Sequence, residues 1–134
     1  MIKWSAVVMM ALGVVHLATL GIDASTYVPS WAALSLWSTE HLSPLADQSP
    51  AMVASNAAFW MTMGSMAVPG FLLGYLIYRL DQRGVFIPVE IGWIFLVWQV
   101  ACALIMQPSG FIVSVGIAAF LLVGLRRQRG RAAT

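Results

Sequence analysis

This chain has few charged residues and a single cysteine. Charged residues make up 9% of its 134 residues, while 60% are hydrophobic. Soluble domains carry about 25% charged residues, so this composition does not supply a water-exposed surface. The lone Cys102 excludes an intrachain disulfide and gives no information on the redox compartment. The composition therefore predicts an integral membrane protein.

Basic residues are missing from two of the connections between the long apolar stretches. Read as membrane spans, these stretches lie at about residues 4–22, 51–78, 86–106 and 111–125. All seven Lys and Arg residues fall in the N-terminus, the middle connection and the tail. The other connections hold Asp23, Glu40 and Asp47 instead. Because cytoplasmic segments retain Lys and Arg, we predict four crossings with both termini cytoplasmic.

The predicted fold is an all-α bundle of four transmembrane helices, forming one domain over residues 1–134. Backbone polar groups in lipid need partners within their own segment, which favours helix for every span. Ser49 and Pro50 suit the N-cap and the first position of the second span. The Pro69-Gly70 pair near the middle of that span predicts a kink.

The outside loop, residues 23–50, is the one long connection. Within residues 30–41, apolar Trp31 and Leu34 are interspersed with polar serines and Glu40. This pattern favours a short helix lying on the outer membrane interface, where Trp rings prefer to sit. An irregular cap over the mouth of the bundle is the alternative.

His16 is the most informative polar residue inside a span. It interrupts the apolar run, so we expect the first span to be retained rather than removed as a signal peptide. Thr19 and Asp23 follow on the same helical face. Asn56 and Gln99 enter the next two spans at a similar depth. Polar side chains in lipid usually face the bundle interior, so we predict that His16, Asn56 and Gln99 converge in its outer half.

This predicted outer pocket has a catalytic and a structural interpretation. In the catalytic one, His16, Asp23 and Glu40 supply the acid and base for chemistry on an apolar substrate. The candidate ligand-binding residues are Asn56, Trp60 and Gln99. In the structural one, the polar side chains only hold the helices together through hydrogen bonds. The structural interpretation is favoured for His16, Asn56 and Gln99.

No cofactor and no metal are predicted. His16 lies in a span and His41 in the loop, and their spacing matches no haem or metal motif. Methionine is ordinary filler in such spans rather than a sign of copper. Glu90 lies near a helix N-terminus, where the helix dipole favours it, which we prefer to a proton relay. Nucleic acid is not an expected partner, because no basic and aromatic surface repeats.

Small residues at helical spacing predict close helix packing. Gly70 and Gly74 form a GxxxG pair in the second span. Gly110, Ser114 and Ala118 recur every four residues in the fourth. Such residues let helix backbones approach closely, within one chain or between two.

Several short motifs occur together along the chain. They are Trp4, Gly13-Val14-Val15-His16, Asn56-Ala57-Ala58-Phe59-Trp60, Gly64, Pro88 with Gly92-Trp93, and Pro108-Ser109-Gly110. In combination they resemble a family of small bacterial four-span membrane proteins catalogued as a domain of unknown function. The resemblance covers the four spans but not the loop at residues 23–49 or the tail. It implies a place in the bacterial cytoplasmic membrane and draws attention to His16 and Phe59-Trp60, but it implies no activity.

Three functions remain open. The favoured one is a non-catalytic membrane bundle that forms homo-oligomers or supports a larger membrane complex, with membrane lipids as its other partners. The second is a membrane-embedded enzyme acting on a lipid or isoprenoid-like substrate beside His16. The third is a small oligomeric transporter, which requires a wet path from Glu90 to the outer polar residues.

Overall fold

A computed structural model describes residues 1–106 and 110–132, the last two of these by their backbone alone. The described residues contain helices, turns and irregular segments and no strand, which confirms the all-α prediction. The helices are α1 (Ile2–Ala24), α2 (Val28–Ala32), α3 (Pro50–Met61), α4 (Ala67–Gln82), α5 (Val89–Ile105) and α6 (Phe111–Ala132). Single 3-10 turns lie at Ser25–Tyr27, Ser35–Trp37 and Leu45–Asp47. The predicted turn at Pro108-Ser109 lies outside the described residues.

Two helical runs in the described residues are long and apolar enough to cross a membrane. They are Ile2–Ala32, with 31 residues, and Phe111–Gly130, with 20 residues. Val89–Ile105 is apolar but shorter. The predicted span at residues 51–78 is not one helix, because α3 ends before α4 begins. Length and composition therefore support two spans, and the four-span prediction is not established by them.

The first helical run is longer than predicted. It continues past residue 22 through a 3-10 turn into α2. Pro29 is tolerated there because it lies in the first turn of α2, where its missing N–H has no helical partner. Leu34 then takes a left-handed backbone conformation with φ of 60°. The interfacial helix predicted over residues 30–41 is therefore wrong in extent, since the helix ends at Ala32 and a separate 3-10 turn follows.

The second predicted span is broken rather than kinked, and the break lies upstream of Pro69. A proline ring clashes with the carbonyl four residues earlier, which here belongs to Ser65. The chain avoids this clash by leaving the helix after Met61 and restarting at Ala67. Pro69 then occupies the first turn of α4, where its missing N–H removes no helical hydrogen bond.

The N-terminus of α3 is as predicted. The Ser49 hydroxyl accepts a hydrogen bond from the Met52 N–H at 3.2 Å, and Pro50 is the first helical residue. The Ser49 N–H donates in turn to Glu40 Oε1 at 2.9 Å. The loop and the start of α3 are therefore joined by a carboxylate that the sequence analysis had considered as catalytic.

The chain divides into two compact units. The first unit contains Met1–Ala11 and the described residues from Gly70 onward, and the second contains Leu12–Pro69. The hydrophobic core lies in the first unit and consists of Ile2, Ala6, Met9, Ile77, Ile87, Val89, Leu121, Leu122 and Leu125. The second unit buries small or polar residues instead, namely Gly13, Ala24, Ser55 and Thr62.

In the first unit, two helix backbones approach closely at one of the three glycines predicted to pack, and not at the other two. A Cβ at Gly74 would lie 3.0 Å from the Ala6 carbonyl oxygen, so α1 and α4 are in near-backbone contact there. Gly70 and Gly110 have nothing within 4 Å of that position. The close packing predicted for these two, within one chain or between two, therefore stays a prediction. Ala118 is fully buried and Ser114 half-buried, in line with the packing predicted for α6.

Candidate functional site

His16 is held by the broken end of α3. Its Nε2 lies 3.1 Å from the Met61 carbonyl oxygen, the only hydrogen bond of the ring in the described part of the chain. A carbonyl can only accept, so Nε2 is the donor in this contact, and Nδ1 has no hydrogen bond in the described residues. The residue is exposed, and its predicted place in the interior of a bundle stays a prediction. Its Nδ1 is thus available to a ligand or a partner.

The break after α3 is what leaves the Met61 carbonyl free. The last carbonyls of a helix have no partner within it. Here the Thr62 hydroxyl donates to the Ala58 carbonyl at 2.7 Å, and the Gly64 N–H donates to the Phe59 carbonyl at 2.8 Å. His16 completes this set from α1. The carbonyls of Ala58, Phe59 and Met61 are thereby satisfied by two side chains and a glycine N–H.

Four aromatic rings form a continuous row in the second unit. Tyr27 and Trp31 stack with ring centroids 6.2 Å apart, and Trp31 meets Phe59 edge-on at 5.8 Å. Phe59 meets Trp60 edge-on at 5.5 Å. The Trp31 indole N–H also donates to the Ser55 hydroxyl at 2.9 Å. These contacts fix the segment at residues 27–31 against α3 and give Trp60, which is 61% exposed, an ordered ring.

Gly64 packs against two rings of this row, and no larger residue fits at its position without moving one of them. A Cβ would lie 2.8 Å from a Trp60 ring carbon and 2.9 Å from a Phe59 ring carbon. Real Cβ atoms do not approach this closely, so a substitution must displace a ring. The break at residues 62–66 is therefore packed beneath the aromatic rings.

Asn56 and Gln99 each present a buried amide oxygen without a partner in the described residues. These atoms are Asn56 Oδ1 and Gln99 Oε1, and the Gln99 side chain is 7% exposed. Buried oxygens without a partner are uncommon in native proteins, so these two atoms have acceptor capacity that the described residues do not use. Asn56 belongs with His16 to the second unit, and Gln99 belongs to the first. The convergence of all three stays a prediction.

Asp23 and Glu40 do not contact His16 in the described residues. The exposed Asp23 offers its backbone carbonyl to the Thr26 hydroxyl at 3.2 Å. Glu40 accepts from Ser49, and the hydrogen bonds from the Ser49 side chain and backbone lower the pKa of Glu40 below its ordinary value. Glu40 thus has a structural role, while a catalytic role for either carboxylate stays a prediction.

Sequence reasoning missed the Met61 carbonyl and the Trp31–Ser55 hydrogen bond. A backbone carbonyl has no residue signature, and it became an acceptor only because the helix breaks before Pro69. Pro69 was the one sequence feature that indicated a break, since a proline ring clashes with the helical carbonyl four residues earlier. In the described residues, His, Cys, Asp and Glu form no group of three able to hold a metal.

A comparison with protein-family models shows to which family the chain belongs. A model described as a family of unknown function, DUF6463, matches residues 1–128. The chain belongs to this family. Membership extends through the loop at residues 23–49, which the sequence resemblance had left out. No curated protein and no solved structure matches the chain.

Proposed function

We propose that this member of DUF6463 is a non-catalytic membrane protein that crosses the bilayer four times and self-associates through α1. The runs Ile2–Ala32 and Phe111–Gly130 are long enough for two crossings. We assign a third to α5, whose 17 residues extend about 26 Å at 1.5 Å per residue. The broken pair α3 and α4 supplies the remaining crossing.

The proposed orientation, with both termini cytoplasmic, is supported by contacts within the first unit. Arg127 Nη1 lies 3.3 Å from Met1 Sδ, and the Lys3 ammonium lies 6.0 Å from the Tyr78 ring centroid. The Ile87 N–H donates to the Gln128 side chain at 3.3 Å. The ends of α1, α4 and α6 that carry basic residues therefore lie together near the start of α5, as the positive-inside rule requires.

The observation that carries the proposal of self-association is the exposed His16. It lies about 21 Å along α1 from Ile2 and about 12 Å from Ala24, at 1.5 Å per residue. Both distances place it inside a hydrocarbon layer of about 30 Å. Polar side chains that face lipid at that depth are disfavoured, and a charged group at a helix centre costs about 2.5–3.5 kcal/mol. A protein surface that covers this face removes the cost.

We propose a second copy as the covering surface. Closed twofold assemblies are the commonest homo-oligomers, and their interface uses the same patch on both chains. The patch around His16 includes exposed Val15 and Thr19, whose hydroxyl is satisfied within its own helix by the Val15 carbonyl at 2.9 Å. The two copies therefore meet through apolar surface around a single polar position in each.

Disulfide cross-linking of the full chain in membranes tests this. With Cys102→Ala as background, Val15→Cys should cross-link to a dimer under mild oxidation. Leu104→Cys is the matched control, because Leu104 is 74% exposed on α5. Equal cross-linking at both positions, or none at Val15→Cys, contradicts assembly through α1.

A membrane-embedded enzyme is the second candidate, favoured by the free Nδ1 of His16 beside an ordered aromatic row. His16→Gln separates the two functions. A glutamine amide can donate to the Met61 carbonyl and keep α1 in place, but it cannot exchange a proton near neutral pH. We expect the dimer to persist in this variant. Loss of a lipid conversion with the dimer intact would favour the enzyme.

A further inference from the structure

An open cleft of about 360 Å³ lies at the basic end of the first unit. Its lining residues are Met1, Ile2, Asp81, Gly124, Arg127 and Gln128. They come from the start of α1 and the ends of α4 and α6. The cleft belongs to neither the His16 region nor the proposed α1 interface.

The walls of this cleft are fixed. Gln128 uses both amide atoms to clamp the segment before α5, accepting from the Ile87 N–H and donating to the Val85 carbonyl, each at 3.3 Å. Gly124 packs directly on α1, where a Cβ would lie 2.9 Å from an Ile2 side-chain carbon. The site is thus formed before any ligand arrives, which limits the ordering cost of binding.

Opposite charges share the cleft without pairing. The Arg127 guanidinium is exposed and donates a hydrogen bond to the thioether sulfur of Met1. Because this sulfur is a weak and uncharged acceptor, it does not compensate the positive charge of Arg127. The half-buried Asp81 carboxylate has neither a hydrogen bond nor an ion pair in the described part of the chain. A cation on α6 and an anion on α4 that line the same cleft without forming an ion pair suit a ligand that carries both charges.

Three cations nearby in the first unit lie over aromatic rings. Besides the Lys3 pair, the Arg126 guanidinium lies 4.8 Å from the Trp93 centroid and that of Arg79 lies 5.7 Å from the Tyr75 centroid. Aromatic rings and snorkelling basic side chains occupy the level of lipid headgroups. Under the membrane placement proposed above, the cleft opens at that level.

We infer that this cleft binds a phosphoethanolamine headgroup of a phospholipid. The Arg127 guanidinium holds the phosphate, which it recognises through a planar pair of N–H donors. The Asp81 carboxylate accepts hydrogen bonds from the primary ammonium. A headgroup with phosphate alone leaves Asp81 unpaired, and the trimethylammonium of choline has no N–H to donate. The inference rests on the membrane placement but not on self-association.

Lipid titration of the purified full chain in detergent, read by native mass spectrometry, tests the inference. The probes are dioleoyl phosphatidylethanolamine, phosphatidylglycerol and phosphatidylcholine. We expect the first to bind about tenfold more tightly, as a charge-assisted hydrogen bond of about 1.5 kcal/mol implies. Asp81→Asn should abolish this preference, and Arg127→Gln should weaken binding of all three lipids. Arg129→Gln, on the exposed side of the same helix, is the control and should change neither.

Equal affinity for the three lipids, or a preference that persists in Asp81→Asn, overturns the inference. Tighter binding of phosphatidylglycerol also overturns the inference, because the net positive charge of the cleft, and not the Asp81 carboxylate, would then determine which lipid binds. Inorganic phosphate should leave the bound lipid in place, and displacement by it would show a simple anion site. A monomer that keeps the ethanolamine preference refutes self-association alone, so the two proposals fail separately.

Discussion

Gly70 and Gly74 are both members of one GxxxG pair, yet the structure predicts opposite effects of the same substitution. At Gly74 a Cβ would meet the Ala6 carbonyl oxygen at 3.0 Å and the Met9 Cβ at 3.2 Å. A backbone carbonyl cannot move aside as a flexible side chain can. At Gly70 a Cβ meets nothing within 4 Å. The two glycines therefore form a matched pair on one helix.

The magnitudes follow from two competing terms. Replacing glycine by alanine inside a helix gains about 1 kcal/mol in helix propensity. Overpacking a close contact loses about 1–3 kcal/mol. Gly70→Ala should thus stabilise the protein by up to about 1 kcal/mol. Gly74→Ala should range from neutral to destabilising by about 2 kcal/mol. Gly74→Leu should be far worse than Gly70→Leu, because only at Gly74 does the Cβ itself already meet a neighbour.

Thermal unfolding in detergent, followed by the exposure of Cys102 to a thiol-reactive dye, measures these differences. From highest to lowest, the expected order of unfolding midpoints is Gly70→Ala, wild type, Gly74→Ala and Gly74→Leu. Oligomer size, measured beside each midpoint, separates packing within the chain from packing between chains. A midpoint for Gly74→Ala equal to or above that of Gly70→Ala would refute the close contact of α1 and α4.

Three further predictions concern the second unit. Gly64→Ala should destabilise the protein by about 1–3 kcal/mol, because its Cβ would displace the Trp60 or Phe59 ring. In contrast, Gly21→Ala on open helix surface should not, and unfolding midpoints of the two variants test this. Because its pKa is lowered, Glu40 stabilises the fold above its unfolded pKa of about 4.3, and this contribution is lost as pH falls through the lower folded pKa. Midpoints measured between about pH 6 and pH 3 should show this loss in wild type but not in Glu40→Gln. Leu34→Gly should raise the midpoint, since a left-handed backbone costs an L-residue about 1–2 kcal/mol, and a lowered midpoint would contradict the strain.

Local chemistry made several features predictable. The N-cap at Ser49 and the helical position of Pro50 follow from hydrogen-bonding groups within three residues of each other. The all-α class follows from apolar length and from the need to satisfy backbone groups in lipid. α5 begins and ends within three residues of the predicted third span for the same reason.

Features that depend on what a residue faces were decided by the tertiary structure. Residue spacing treats Gly70 and Gly74 alike, but only Gly74 meets the backbone of α1. Pro69 predicts an irregularity in the helix, but whether the helix kinks or breaks depends on which groups hydrogen-bond to the freed carbonyls. Thr62 and Gly64 provide two of those partners locally, and His16 provides the third from 45 residues away. This hydrogen bond makes His16 a cap on the end of α3, while its place in a shared pocket stays a prediction. Sequence determines which groups need partners, and the packed chain determines which partners they find.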